Sequence, residues 1–220
     1  MGRQRNQVSV QKVIVCFVAT LFLPTTLAYG QTPPREHSGA VSQHQKIYPP
    51  ITGHERLRWV VKSTIGARTL SAGFFTAGFG TGLNRPKEYG PHWDGFGKRY
   101  GMRLTGVATG NAMEAGLGSL WGEDPRYFRA TGEPMKGRIK NVIVMTFLAR
   151  RGDATRAPAY ARYAGNVGNN FLSNTWRADS EATASNAYLR ILLGFAGRMG
   201  VNAFEEFWPD ARKYVFRKRH

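Results

Sequence analysis

The side chains best suited to chemistry lie in one short stretch, Trp121-Gly122-Glu123-Asp124-Pro125-Arg126-Tyr127-Phe128-Arg129. Two carboxylates, two guanidiniums and a phenol are the equipment of acid–base work. The forks of Arg126 and Arg129 would equally suit an anionic ligand. Glu123 and Asp124 are adjacent, so their side chains diverge. The structural alternative sets Asp124-Pro125 at the start of the next element, with Arg126 as an ion-pair partner. Glu114 is a further candidate acid, surrounded by Ala112, Met113, Ala115 and Leu117, with Asn111 on the same side. A carboxylate in that setting needs an ion-pair partner, Arg103 or an arginine of another helix, or a raised pKa. His92, in His92-Trp93-Asp94, supplies a general base by residue type. Asn166, Asn169, Asn170 and Asn174 recur at intervals of three and four. Asn is a poor helix former, so this polar face is expected to bond across an interface or line a polar pocket.

Several familiar signatures are absent. There is no HExxH, Gly118-Ser119-Leu120 fails G-x-S-x-G, and Gly78-Phe79-Gly80-Thr81-Gly82 lacks the Lys-Ser/Thr of a phosphate loop. The single cysteine, Cys16, lies in the N-terminal apolar run, and His37 and His44 have no third ligand nearby. No metal site and no cofactor is expected.

The elements that must position these residues begin with a leader. Residues 1–30 read as a cleavable signal peptide: Arg3, Arg5 and Lys12 precede an apolar stretch at 13–23, then Pro24 and the small-residue site Ala28-Tyr29-Gly30. That stretch is shorter than the roughly 20 residues a spanning helix needs. Residues 31–54, with Pro33, Pro34, Pro49 and Pro50, read as a disordered linker. A helical domain is predicted over 55–208, from apolar residues at i, i+3, i+4 spacing. Its five stretches cover about 55–82, 96–121, 136–150, 159–176 and 181–208. Pro209 should end the last of them and open a basic tail over 209–220. Alternation over 102–108 leaves room for a strand, but hairpin turns at regular spacing are missing. The fold class expected is all-α, a compact bundle of about five Gly-rich, closely packed helices.

The chain holds 26 glycines in 220 residues, well above the usual proportion of about 7%. Each glycine inside a helix costs roughly 1 kcal/mol relative to Ala, which close packing must offset. Gly97/Gly101, Gly106/Gly110, Gly78/Gly82, Ala161/Gly165 and Ala164/Gly168 are four apart, a spacing that lets helix backbones approach. Such faces also allow a homo-oligomer. The formal charge is +17, which favours an anionic partner; outside the cytoplasm that means anionic lipid or envelope glycan, with no nucleic acid expected. Arg126, Arg129, Arg212, Lys213, Arg217, Lys218 and Arg219 are the cations assigned to it. Trp121, Trp176 and Trp208 fall at predicted helix ends, where a membrane interface or the end of a bundle core would place them.

Three motifs, Arg85-Pro86-Lys87-Glu88-Tyr89-Gly90, Glu123-Asp124-Pro125-Arg126-Tyr127-Phe128 and Glu205-Glu206-Phe207-Trp208-Pro209-Asp210, together resemble an uncharacterised group of exported bacterial proteins of the acidobacterial type. The resemblance spans about 55–210. It implies an envelope location and supplies no catalytic residue. The expectation is therefore an exported protein of periplasm or cell envelope, structural or binding in role, peripheral to a membrane or to an anionic envelope component. Two alternatives stand beside it. One is an envelope hydrolase of lipid or glycan using Glu114, Glu123, Asp124 and His92; the other is a small outer-membrane β-barrel.

Overall fold

Thr52 opens the first helix: its hydroxyl accepts the Glu55 amide while the Glu55 carboxylate accepts the Thr52 amide at 2.9 Å, a complete capping box. The structure is a computed structural model that describes residues 49–153 and 155–216. The predicted leader, linker residues 31–48 and the tail cations Arg217, Lys218 and Arg219 lie outside the described residues. Six α-helices follow in order: α1 (Gly53–Ile65), α2 (Ala67–Gly82), α3 (Trp93–Trp121), α4 (Met135–Phe147), α5 (Tyr160–Leu172) and α6 (Ala184–Phe216). Three short strands, β1 (Glu123–Asp124), β2 (Leu148–Arg151) and β3 (Arg156–Pro158), form one antiparallel sheet in the order β1-β2-β3. The fold is a helical bundle with a small sheet at one end of its longest inner helix. No barrel is present among the described residues, and α3 runs straight through the 102–108 segment that alternation had left open to a strand.

Three boundaries differ from the sequence reading, each for an identifiable reason. The stretch at 55–82 is two helices, because Gly66 adopts an extended conformation and serves as the end of α1 and the start of α2. A Cβ at Gly66 would stand 2.3 Å from the Lys62 carbonyl oxygen, so only glycine fits this corner. The third stretch stops at Phe147 instead of continuing to Arg150. Asp153 accepts the Thr155 amide and hydroxyl in a local turn, which folds β3 back onto β2 and draws 148–151 into the sheet. The last helix does not stop at Trp208 but passes through Pro209. Proline there removes a helix hydrogen bond. Arg138 bridges the gap, bonding the Glu206 carbonyl and the Asp210 carboxylate at 2.6 Å each.

Helix α3 is the central post, packing against α1, α2 and α5, while α6 packs on α4 and α5. The α3–α5 approach is close enough that a Cβ at Gly165 would lie 3.1 Å from the Glu114 amide nitrogen. The strip containing Ala161 and Gly165 is therefore inside the bundle. By contrast a Cβ at Gly82, Gly97, Gly101, Gly197 or Gly200 would meet nothing within 4 Å, and at Gly78 only the Phe96 ring edge at 4.0 Å.

What the interior contains is unusual for a chain with this hydrophobic content. The buried apolar residues are mostly alanines, with Val142 and Met145, whereas Arg99, Glu114, Glu123, Asp124, Asn141, Arg162, Asn170, Asn202 and Glu206 are all buried. Phenylalanines, leucines and a tryptophan are outside instead: Phe75 is 73% exposed, Phe79 72%, Leu192 67% and Trp93 81%. Ordinary soluble folds distribute these residue types the other way.

Candidate functional site

Two polar clusters occupy the core. In the first, Glu114 of α3 accepts the Arg162 Nε at 2.9 Å and the Arg198 Nη2 at 3.1 Å through the same oxygen. Arg162 also donates to the carbonyls of Met145 (2.8 Å) and Thr146 (3.0 Å). These belong to the last turn of α4, where carbonyls lack helical donors and a cation is favoured. Arg198 reaches the Pro125 carbonyl at 2.6 Å and lies over the Trp59 ring. The acid is thus paired, by arginines of α5 and α6 rather than by Arg103.

In the second cluster Glu206, with no exposed surface, accepts the Tyr127 hydroxyl (2.7 Å), the Ala130 amide (3.1 Å) and the Arg138 Nε (2.8 Å). Asn141 donates to Tyr127 Oη and to the Phe128 carbonyl. Burial, then the hydrogen bond to Glu206, pushes the Tyr127 hydroxyl well above its ordinary value. Burial alone would raise Glu206 too, but the donors from Arg138, Tyr127 and Ala130 outweigh it and hold the carboxyl below 4.5. Asp210 is likewise held down, chiefly by its bond to Arg138.

Glu123 and Asp124 part company, as adjacent strand residues must. Glu123 accepts the amides of Tyr160 (3.1 Å) and Ala161 (3.0 Å), the free N–H groups at the start of α5. Burial nevertheless raises its pKa, because it outweighs those donors. Asp124 is held by Arg126 at 2.7 Å, which also reaches Glu55 at 3.2 Å. The strand register sets Glu123 opposite Arg151 and Asp124 opposite Arg150.

His92 stands exposed at the N-cap of α3, without a side-chain capping bond. It is 22 residues from Glu114 on the same helix, about 33 Å along the axis at 1.5 Å per residue. The four candidate catalytic groups therefore do not share a pocket. Among the candidate anion binders, Arg126 is committed to Asp124 and Glu55, and Arg129 to the Glu206 carbonyl and Asp210. Arg212 and Lys213 are exposed on α6.

On the asparagine face, Asn166 donates to the Ile191 carbonyl of α6, Asn170 bonds back to Asn166, and Asn174 accepts from Arg190. Asn169 lies against Gly110.

Residues that the sequence reading passed over do much of the positioning. Arg162 is the one charge within α5, and a lone charge on a glycine-lined helix face has to meet a countercharge. Arg56, Arg150, Arg151 and Asp124 are among the residues that line a cleft of about 360 Å³. The doublet Arg150-Arg151 followed by Gly152-Asp153 is the available signal for that hairpin. No family model, curated protein or solved structure matches the chain.

The pKa directions predict an acid response. A carboxyl whose folded pKa lies below its unfolded one contributes stability above the unfolded value and loses it as pH falls through the folded value. For Glu206 and Asp210 the loss should therefore begin near 4.5 and 3.8 and deepen below them. Glu123 has the opposite sign: its protonation begins above 4.5 and relieves a burial cost. Urea midpoints measured between about pH 3 and pH 7 should hold or rise slightly on the way down to pH 5, then fall. In Glu206→Gln the fall should be shallower; an identical profile in the variant would remove Glu206 from the account.

Proposed function

We propose that this is an exported cell-envelope protein whose uncharged helix faces rest in lipid while its charges pair inside, a structural or binding component rather than an enzyme. The observation that carries the reading is the inversion of residue types between core and surface. Residues 70–84 of α2 and its C-cap contain no charge, and the outer side of that helix carries Phe74, Phe75, Phe79 and Leu83. On α6 the outer side carries Tyr188, Leu189, Leu192, Leu193, Phe204 and Trp208, whereas Arg190 and Arg198 turn inward to bonded partners. Exposed apolar faces of this kind mark an interaction site, and lipid is the occupant that leaves every charge where it is. Trp93 and Trp208, both exposed, suit the headgroup level. No described helix is long and apolar enough to cross a membrane. Association through faces embedded at the interface, helped toward anionic headgroups by a net charge of +17, or 17 − 3 = +14 once Arg3, Arg5 and Lys12 of the leader are removed, needs no such helix. The motif resemblance to exported bacterial proteins supports the envelope location.

Flotation of the full chain with phosphatidylethanolamine–phosphatidylglycerol vesicles tests this. Recovery with vesicles at low salt, retained in part at high salt, supports embedded faces. Replacing Phe74, Phe75 and Phe79 by Ser should weaken partitioning by at least about tenfold, since fully burying each ring is worth roughly 1.5–3 kcal/mol. A protein that ignores vesicles and instead forms stable water-soluble oligomers would have covered these faces with its own copies, and the lipid reading would be lost. Scattered, partnered acids and a distant His92 give the hydrolase alternative no comparable support.

A further inference from the structure

We propose that the tip of the α2–α3 hairpin, residues 83–93, is the end by which the chain docks on a bilayer, with Arg85 and Lys87 binding the phosphates of anionic headgroups. This rests on the lipid reading above and adds to it a place and a ligand. Phe75, Phe79 and Leu83 are spaced four apart on α2 and its C-cap, and all three are exposed. From Phe75 a chain of edge-on rings runs through Phe74 (6.2 Å between centroids) and Phe96 (5.2 Å) to Trp93 (5.7 Å) at the start of α3. Arg85 and Lys87 are exposed in the loop just after Leu83, and neither side chain has an ion-pair partner among the described residues. The acids nearest in the chain are engaged: Glu88 accepts the Ser180 amide at 3.3 Å, and Asp94 pairs with Lys98 at 3.4 Å. Two unpaired cations thus follow directly on an exposed apolar stripe, an arrangement suited to the boundary between headgroups and acyl chains.

The loop that carries these cations is fixed from beneath. Arg99, buried in α3, donates through Nε to the Arg85 carbonyl (2.9 Å), through Nη2 to the Pro86 carbonyl (2.9 Å) and through Nη1 to the Gly90 carbonyl (2.7 Å). Its guanidinium also lies over the Tyr89 ring, and the Tyr89 hydroxyl accepts the Ala178 amide at 3.1 Å. Gly95 lets the loop rest on the first turn of α3, since a Cβ there would stand 2.2 Å from the Gly90 carbonyl oxygen. A surface loop held at three carbonyls by one buried arginine is ordered before any ligand arrives, so less freedom is lost on binding. Arginine suits a phosphate through its fork, and lysine adds a compact charge beside it.

The test measures partitioning of the full chain into vesicles of phosphatidylcholine, with and without phosphatidylglycerol, by sedimentation at constant ionic strength. Arg85→Gln combined with Lys87→Gln should weaken partitioning into the anionic vesicles roughly twentyfold, since each cation near such a surface is worth about fivefold. Partitioning into phosphatidylcholine alone should hardly change. Lys136→Gln with Lys140→Gln removes two exposed cations from α4 and should cost far less. Lipids brominated near the headgroup should quench tryptophan emission, and Trp93→Phe should remove part of that quenching. Circular dichroism checks each variant, and if the double change in the loop misfolds, Lys87→Gln decides by a loss of about fivefold. Equal weakening by the α4 pair, or quenching unchanged in Trp93→Phe, would overturn the inference and leave the embedded faces of α2 and α6 standing. A chain that ignores both kinds of vesicle would remove the lipid reading and this inference together.

Discussion

Glu206→Ala should lower the unfolding free energy by about 3–5 kcal/mol, the cost of leaving a buried ion partner uncompensated. Total stability is usually about 5–15 kcal/mol, so this one truncation would bring the fold close to its limit. The size follows from what is stranded. The Arg138 Nε, the Tyr127 hydroxyl and the Ala130 amide all lose their acceptor together. Removing Tyr127 by Tyr127→Phe deletes one donor and leaves the ion pair, so it should cost only about 1–2 kcal/mol. Urea unfolding of the detergent-solubilised chain, followed by tyrosine and tryptophan fluorescence, would compare the two. Equal losses would mean that Arg138 finds another partner and that the cluster is not one unit.

Glu114→Ala comes next in size, again about 3–5 kcal/mol, by a different route. Here one carboxylate oxygen serves two guanidiniums, so its removal leaves Arg162 and Arg198 facing each other with no charge between them. Glu114→Gln keeps an acceptor but not the charge and should fall between wild type and Ala. Combining Glu114→Ala with Arg198→Ala should cost less than the sum of the two single changes, by an interaction energy of at least about 0.5 kcal/mol. Strict additivity in that double-mutant cycle would show that Arg198 is held by the Pro125 carbonyl alone.

How far the sequence could be read depended on the range of the forces involved. Helix existence was legible because apolar spacing is local, and the all-α class holds in the structure. Boundaries failed where distant groups decide them. Pro209 has every local property of a stop, yet Arg138, 71 residues earlier, ties the turns on both sides of it. Residues 148–150 carry a helical pattern, yet sheet pairing to Pro158, Ala157 and Arg156 claims them, with Arg150 also opposite Asp124. The glycine strips could be found, but not sorted: Gly165 meets Glu114, whereas Gly197 and Gly200 meet nothing. For the same reason Glu114 could be recognised as needing a partner, while the identity of that partner, Arg162 and Arg198, depends on helix order. The cleft lined by Arg56, Arg150 and Arg151 was not legible at all, because its lining comes from positions nearly a hundred residues apart.

The distribution of partners along the chain also has a bearing on how the protein is made. Both core clusters wait for α6: Arg198 completes the pairing of Glu114, and Glu206 supplies the acceptor for Arg138 and Tyr127. A chain emerging from its amino terminus therefore carries unmatched charges until its final helix docks. Early collapse onto a wrong but stable arrangement is discouraged, since an interior without that helix would bury arginines alone. Chains that stall or are clipped ahead of about residue 198 are left with an open, charged seam, and are the more exposed to misassembly and cleavage for it.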